Sequence, residues 1–359
     1  MRKLKHIGLI VLALIVLPVV IISIIRFINQ KKFKISGENA VSASQFIEIN
    51  GCQTFVRIRG QHVENPVIIF IHGGPGFPLT YLSPYHQQYL ESHFTFVNYD
   101  QRGAGRTFYE NDDKELSVDL MVQDLNDLVD YTLKKFNKDK VIIMGQSWGT
   151  VLGTLYVQKY PQHVAAYVGV GQVIDFDKGK VLSAQQAIQL AESKNEDHIA
   201  QKIRHGIKQF ESSANIDQVD LENLETLILN TSQYFKSDKQ LSGLKQMYLG
   251  LTSPYMNFTD IRWFLNASST AKIVSLEHAL INYMYFDFDI NQLSLEYEVP
   301  VYFIQGEKDY ITPTSMVEDY YESIIAPRKK LYKIPGTGHV PFLDSPVEFA
   351  NMVNALLAE

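Results

Sequence analysis

One cysteine in 359 residues, Cys52, excludes an intramolecular disulfide and a cysteine-rich zinc site. Positive charge is not in excess. Lys and Arg number 33 against 39 Asp and Glu, and a formal net charge of -6 argues against a general nucleic-acid binder. No H-E-x-x-H occurs, and no other metal-ligand spacing appears. No G-x-G-x-x-G leads from a strand into a helix; Gly103-Ala104-Gly105 is too short to count. The chain is expected to need neither metal nor cofactor. It has no repeat and no low-complexity tract, and nothing in it sets an oligomeric state.

What is present begins with a long apolar run. Ile7 to Ile25 carries no charge, and its nineteen residues as a helix span about 28 Å, enough for a bilayer core. A secretory signal has a shorter core and a cleavage site close behind it. Here Arg26, Lys31 and Lys32 follow, and Val41-Ser42-Ala43 lies far downstream. The expectation is one uncleaved transmembrane helix in a single-pass membrane protein. Cations on both flanks leave its orientation open.

The chain is organised around Val141-Ile142-Ile143-Met144-Gly145-Gln146-Ser147-Trp148-Gly149. Four apolar residues read as a strand buried on both faces, followed by G-x-S-x-G and a helix-compatible stretch. A serine on so sharp a strand-to-helix turn stands clear of the sheet. Gly145 and Gly149 flank it because side chains there would collide. Elsewhere, Asn50-Gly51 between Phe46–Ile49 and Thr54–Ile58 marks a hairpin from Gln45 to Arg59. Val67–Ile71, Phe94–Tyr99, Val164–Val170, Val301–Ile304 and Lys330–Ile334 read as strands. Ser117 caps a predicted helix. Strand and helix alternate, so the spacing predicts an α/β chain with a mostly parallel sheet and helices on both faces. From Asp175 to Glu296 strand-like runs give way to helices, clearest at Val181–Ser193, Asp197–Phe210 and Leu221–Phe235. This stretch reads as an inserted helical cap. The expected divisions are a basic tail (1–6), the anchor (7–25), a polar tether (26–44), a core (45–174 and 297–359) and the cap (175–296).

A serine hydroxyl needs a base, and the base needs a group to hold its tautomer. Ser147, Asp309 and His339 each follow a predicted strand, and strand ends of a parallel sheet converge on one edge. Asp175 and Asp177, past the preceding strand, compete with Asp309 as the acid. For the oxyanion, one donor is the backbone N–H of Trp148. The other comes from His72-Gly73-Gly74-Pro75-Gly76: Pro75 has no N–H, so Gly74 is the first choice and Gly73 the second. Asp100, Arg102 and Arg106 read as structural ion-pair residues.

These motifs, in this order, resemble those of the α/β-hydrolase superfamily, and within it the proline iminopeptidase family of serine peptidases. The resemblance rests on His72 to Gly76, Asp100-Gln101-Arg102-Gly103-Ala104-Gly105, Gly145 to Gly149, Gly306-Glu307-Lys308-Asp309 and Gly338-His339. It implies the α/β-hydrolase fold and a Ser147–His339–Asp309 triad. It also implies release of a small N-terminal residue from peptides through an acyl-enzyme. Members that release proline carry cap glutamates for the substrate amine, often in a W-x-x-W-E stretch. That stretch is absent, since the tryptophans are Trp148 and Trp263. Glu192, Glu222, Glu225 and Glu277 are acids within the cap. An esterase or lactonase of the same fold is the alternative, and a non-catalytic ligand-binding protein the more distant one.

Overall fold

The structure is a computed structural model that describes residues 2–112, 115–237 and 239–358, with the backbone alone for residues 2–13 and 15. An eight-stranded sheet runs through it in the order β1-β2-β4-β3-β5-β6-β7-β8. The strands are β1 (Val41–Ile49), β2 (Cys52–Gly60), β3 (Val67–Ile71), β4 (Thr95–Tyr99), β5 (Val141–Gln146), β6 (Val164–Val170), β7 (Val301–Gly306) and β8 (Lys329–Ile334). From β4 to β8 neighbours are parallel; β1 and β2 are antiparallel additions at one edge.

Alternation along the central strands explains their unbroken apolar composition. In β5, Val141 and Ile143 face one hydrophobic layer, while Ile142 and Met144 face the other. Val67, Ile69 and Ile71 of β3 join the first layer, and Ile68 and Phe70 the second. Both layers are covered by helices, as a parallel sheet requires. Ser117 caps Val118–Phe136 by accepting from the Leu120 amide at 3.2 Å. The Asn50-Gly51 turn has positive φ at both residues, 47° and 69°, and pairs Ile49 with Cys52, as a two-residue hairpin requires.

The hairpin begins four residues earlier than expected. β1 turns small or polar residues inward: Ala43 packs on the core and Gln45 donates to the Tyr131 hydroxyl at 2.7 Å. The expected polar tether is short for the same reason. A helix runs from Arg2 to Lys32, Phe33 is buried, and β1 opens at Val41. Arg26 bonds the Met256 carbonyl, Asn29 donates to the Thr252 carbonyl at 2.9 Å, and Phe33 meets Tyr85 edge-on. The tether thus docks. The expected basic tail and much of the first half of the expected anchor lie outside the described side chains. Among the described residues, no helix is long and apolar enough to cross a membrane. The transmembrane helix expected from the sequence is therefore not supported by them.

Between β6 and β7 the chain is helical, from Phe176–Ser193 to the short turn Ile290–Gln292. Its own apolar cluster includes Ala187, Ile203, Phe210, Leu227 and the fully buried Trp263. One buried ion pair fastens it to the sheet: Arg106, after β4, meets Asp260 of the helix Phe258–Asn266 with bonds of 2.9 and 2.7 Å. Removing one partner strands the other charge in a dry site. Asp260→Ala should therefore destabilise by about 3–5 kcal/mol in urea denaturation. The double replacement Arg106→Met with Asp260→Leu should cost markedly less. Equal losses would mean that the pair fastens nothing.

Candidate active site

The turn after β5 places Ser147 at φ 52° and ψ −122°, and the helix Trp148–Lys159 begins at the next residue. Backbone packs on backbone here. A Cβ on Gly145 would overlap the Gly149 carbonyl, and one on Gly149 would overlap the Ile71 carbonyl at the end of β3. That is the collision expected of these two glycines. The Ser147 amide is held by the Val170 carbonyl of β6 at 3.0 Å.

His339 lies across the end of β6 from Ser147. A Cβ on Gly171, the residue after β6, would stand 3.0 Å from the His339 ring. The ring Nδ1 lies 2.9 Å from Asp309 Oδ2. Asp309 is buried, and three further donors fix it: the Ile311 and Thr312 amides at 2.9 and 3.0 Å, and the Thr312 hydroxyl at 2.8 Å. With the carboxylate accepting at Nδ1–H, the histidine's Nε2 is left as the basic nitrogen. The loops after β7 and β8 are stitched by Lys308 N–H to Thr337 O at 2.9 Å. Asp175 is used differently. It caps Phe176–Ser193 and pairs with Lys178. Asp177 lies beside it on the same helix.

Gln101 braces both segments expected to supply oxyanion donors. Its Oε1 accepts from the Trp148 indole at 3.0 Å, and its Nε2 donates to the His72 carbonyl at 2.8 Å. Its amide donates to His72 Nε2 at 3.2 Å, while His72 Nδ1 meets the Gly73 carbonyl at 2.8 Å. Burial pushes His72 down to about 4, so it stays neutral and both ring nitrogens serve structure. Trp148 opens a helix, where an amide has no intrahelical acceptor. Gly74 sits in the loop at φ 123°.

Of the three loop residues read as ion-pair formers, Arg102 binds Asp124 through two bonds of 2.7 and 2.9 Å and Arg106 binds Asp260. Asp100 instead accepts from the Thr80 hydroxyl at 2.8 Å and the Arg106 amide at 2.9 Å, and burial raises it to about 7.

The cap closes over the loop after β3. Trp263 donates its indole N–H to the Gly76 carbonyl at 2.9 Å. A Cβ on Gly76 would meet the Glu277 Cγ and Oε1 at 3.0 Å. Of the four cap glutamates named from the sequence, Glu192, Glu222 and Glu225 are exposed, and Glu192 pairs with Arg204. Glu277 is 1% exposed, and its Oε1 has no hydrogen-bond partner. Burial holds it well above the usual carboxylate range. No sequence signal set it apart from the other three: the segment Ile273 to Ile281 around it also carries Ser275 and His278.

Residues 66–346 match the family described as alpha/beta hydrolase fold, and the chain belongs to it. It is a hydrolase. It is 24% identical over 319 residues to the "Probable aminopeptidase YbaC" of Bacillus subtilis (strain 168), covering 88% of this chain and 96% of that protein. The proline iminopeptidase of Lactiplantibacillus plantarum is 31% identical over 121 residues, 33% of this chain and 41% of that one. The crystal structure of proline iminopeptidase from Mycobacterium smegmatis superposes with a TM-score of 0.60 at 17% identity, covering 88% of this chain and 98% of that one. This last likeness is one of fold.

The raised glutamate has a consequence for stability. The folded chain binds the Glu277 proton more tightly than the unfolded chain does. That contribution is full below the ordinary glutamate value and is lost as pH rises toward the raised one. Glu277→Gln should therefore melt higher than the wild type at pH 8, by about 2 °C or more, with the gap shrinking toward pH 5. Differential scanning calorimetry across that range reads it. A gap that does not change with pH would mean that Glu277 ionises freely in the fold.

Proposed function

We propose that this chain is a serine aminopeptidase of the proline-iminopeptidase type, releasing a small N-terminal residue from short peptides. Ser147 attacks the scissile carbonyl and His339 takes its proton at Nε2. Asp309 keeps the ring oriented and balances the imidazolium. The Trp148 and Gly74 N–H groups receive the oxyanion. His339 then protonates the leaving amine, and water activated by the same nitrogen releases the acyl group. The hydrogen bond between His339 and Asp309, and the position of both across β6 from Ser147, support these roles.

The observation that carries the substrate reading is Glu277. A carboxylate buried in the cap, with an unpartnered oxygen against the oxyanion loop, is costly until a cation meets it. A protonated α-amine is the cation that a peptide's N-terminus offers. The relatives named as aminopeptidase and proline iminopeptidase point the same way.

Membrane attachment through the helix Arg2–Lys32 belongs to the same proposal. Its support is the uncharged run in the sequence and the exposure of Leu14, Leu17, Val19, Val20, Ile21 and Ile24.

A fluorophosphonate probe should label the wild type and not Ser147→Ala, whose hydrolysis should fall by several orders of magnitude. An alanyl or prolyl arylamide should be cleaved at least about a hundredfold faster than its N-acetyl form, because acetylation removes the cation and leaves the scissile bond. Its kcat/KM should also fall on acidification at a higher pH than that of a short acyl ester, as Glu277 takes up its proton. If the acetylated substrate and the ester turn over as well as the free amine, the chain is an esterase with the same nucleophile.

The full-length protein should stay with the membrane pellet after a high-salt wash, since apolar burial is not released by screening. Recovery in the supernatant would remove the anchor from the proposal.

A further inference from the structure

A second charge stands in the cap without a counter-ion. Lys180 lies one turn into the helix Phe176–Ser193 and lines a cavity of about 200 Å³. Its ammonium sits 4.9 Å from the Phe176 ring centre and 5.2 Å from that of Tyr285. Among the described residues no carboxylate reaches it. Burial alone moves its pKa, downward to about 8. The same cavity is lined by Thr231, which is 4% exposed and whose Oγ1 has no hydrogen-bond partner. Leu227, Ile228 and Ile311 complete an apolar wall. A cation and an orphaned hydroxyl thus share one largely apolar space. Each lacks the same thing, a strong hydrogen-bond acceptor.

The cavity adjoins the proposed chemistry. Tyr310 and Ile311 line it, and they follow Asp309 directly. The Ile311 amide is one of the bonds that hold that carboxylate. In the sheet, β5 with Ser147 lies between β3, whose loop touches Glu277, and β7, whose loop walls this cavity. The two unpaired cap groups therefore flank the nucleophile strand, the Glu277 carboxyl on one side and the Lys180 ammonium on the other.

We propose that Lys180 and Thr231 form an anion subsite for a substrate carboxylate borne on an apolar or aromatic body, the free C-terminus of a short peptide. Lys180 supplies the charge, Thr231 a hydroxyl donor, and Phe176, Tyr285 and Leu227 receive the adjoining side chain. This deepens the aminopeptidase reading and rests on it for the identity of the substrate. A peptide with both termini free would then satisfy both unpaired groups at once, while longer or amidated chains would leave Lys180 unmatched.

The test has a catalytic arm and a binding arm. In the first, alanyl-phenylalanine and its C-terminal amide are compared as substrates. The acid should have a kcat/KM about tenfold or more above the amide. That ratio should fall to near one in Lys180→Gln and drop part-way in Thr231→Val. In the second arm, the wild type hydrolyses a short acyl ester in the presence of 3-phenylpropionate or 3-phenylpropionamide. The carboxylate should compete at least about tenfold more tightly than the amide, and Lys180→Gln should abolish the difference. This arm needs no amine and no peptide. Failure of all arylamides with a Lys180-dependent preference for 3-phenylpropionate would remove the aminopeptidase reading and leave the anion subsite standing. Cleavage of arylamides with equal inhibition by acid and amide would overturn the subsite and leave the aminopeptidase. Should Lys180→Gln fold poorly, the acid-to-amide ratios of the wild type still decide: ratios near one sink the proposal.

Discussion

The contact of Gly149 with the carbonyl at the end of β3 sets the distance on which the rest of the site depends. With no side chain at Gly145 or Gly149, the turn after β5 closes onto its own helix and onto the neighbouring strand. That closeness holds Ser147 in a backbone conformation that non-glycine residues rarely adopt. It also brings the loop of His72 to Gly76 beside the serine. Gln101 then ties the two together, bonding His72 on one side and Trp148 on the other. Hydrogen bonds and backbone contacts thus tie the serine, the loop and the start of the helix together.

The second half of the site depends on the other end of the sheet. Two loops, after β7 and after β8, must meet over strands already committed to the core. Their hydrogen bonds to one another, and the donors around Asp309, fix the carboxylate before any substrate arrives. Preorganisation of this kind lowers the reorganisation needed during reaction. The cap is fastened at the β3–β4 side by the Arg106–Asp260 pair and by Trp263 on Gly76. On the opposite side, near Lys180, the Ser183 hydroxyl donates to the Tyr310 carbonyl at 2.6 Å, and the Leu241 amide donates to Asp344 at 2.9 Å.

Most of the core was legible because its physics is local. Val67–Ile71 and Val164–Val170 are apolar runs whose limits are those of the strands, and Asn50-Gly51 dictates a hairpin whatever surrounds it. That Ser147, Asp309 and His339 stand just past strand ends was legible because each follows such a run. Illegible was whatever depends on a distant partner. β1 reads as polar from Val41 to Gln45, and only Tyr131 makes Gln45 an inward residue. Phe33 looks like linker until Tyr85 is placed against it. In the cap no motif could rank four glutamates, since burial of Glu277 is decided by the packing of Ile273 and Gly76. Lys180 carried one faint sign: with Phe176 and Ser183 it shares a helix face otherwise turned toward the core.

The pairing of buried charges separates structure from use in this molecule. Arg59 meets Glu91, Arg102 meets Asp124, and Arg106 meets Asp260, each through two bonds and each nearly dry. In each such pair both charges have a partner, so neither is left unmatched in the interior. Asp100, without a cation of its own, is satisfied by Thr80 and the Arg106 amide. Glu277 and Lys180 break the pattern. One is an acid and the other a base, and both lie in the cap, yet they stand against different loops and do not meet. Arg57 in β2 is likewise buried without a carboxylate, but the Tyr255 ring and the Ser44 hydroxyl take up its guanidinium. In the cap, a ligand carrying complementary charges at its two ends would meet both Glu277 and Lys180, and that is the ground of the substrate proposal.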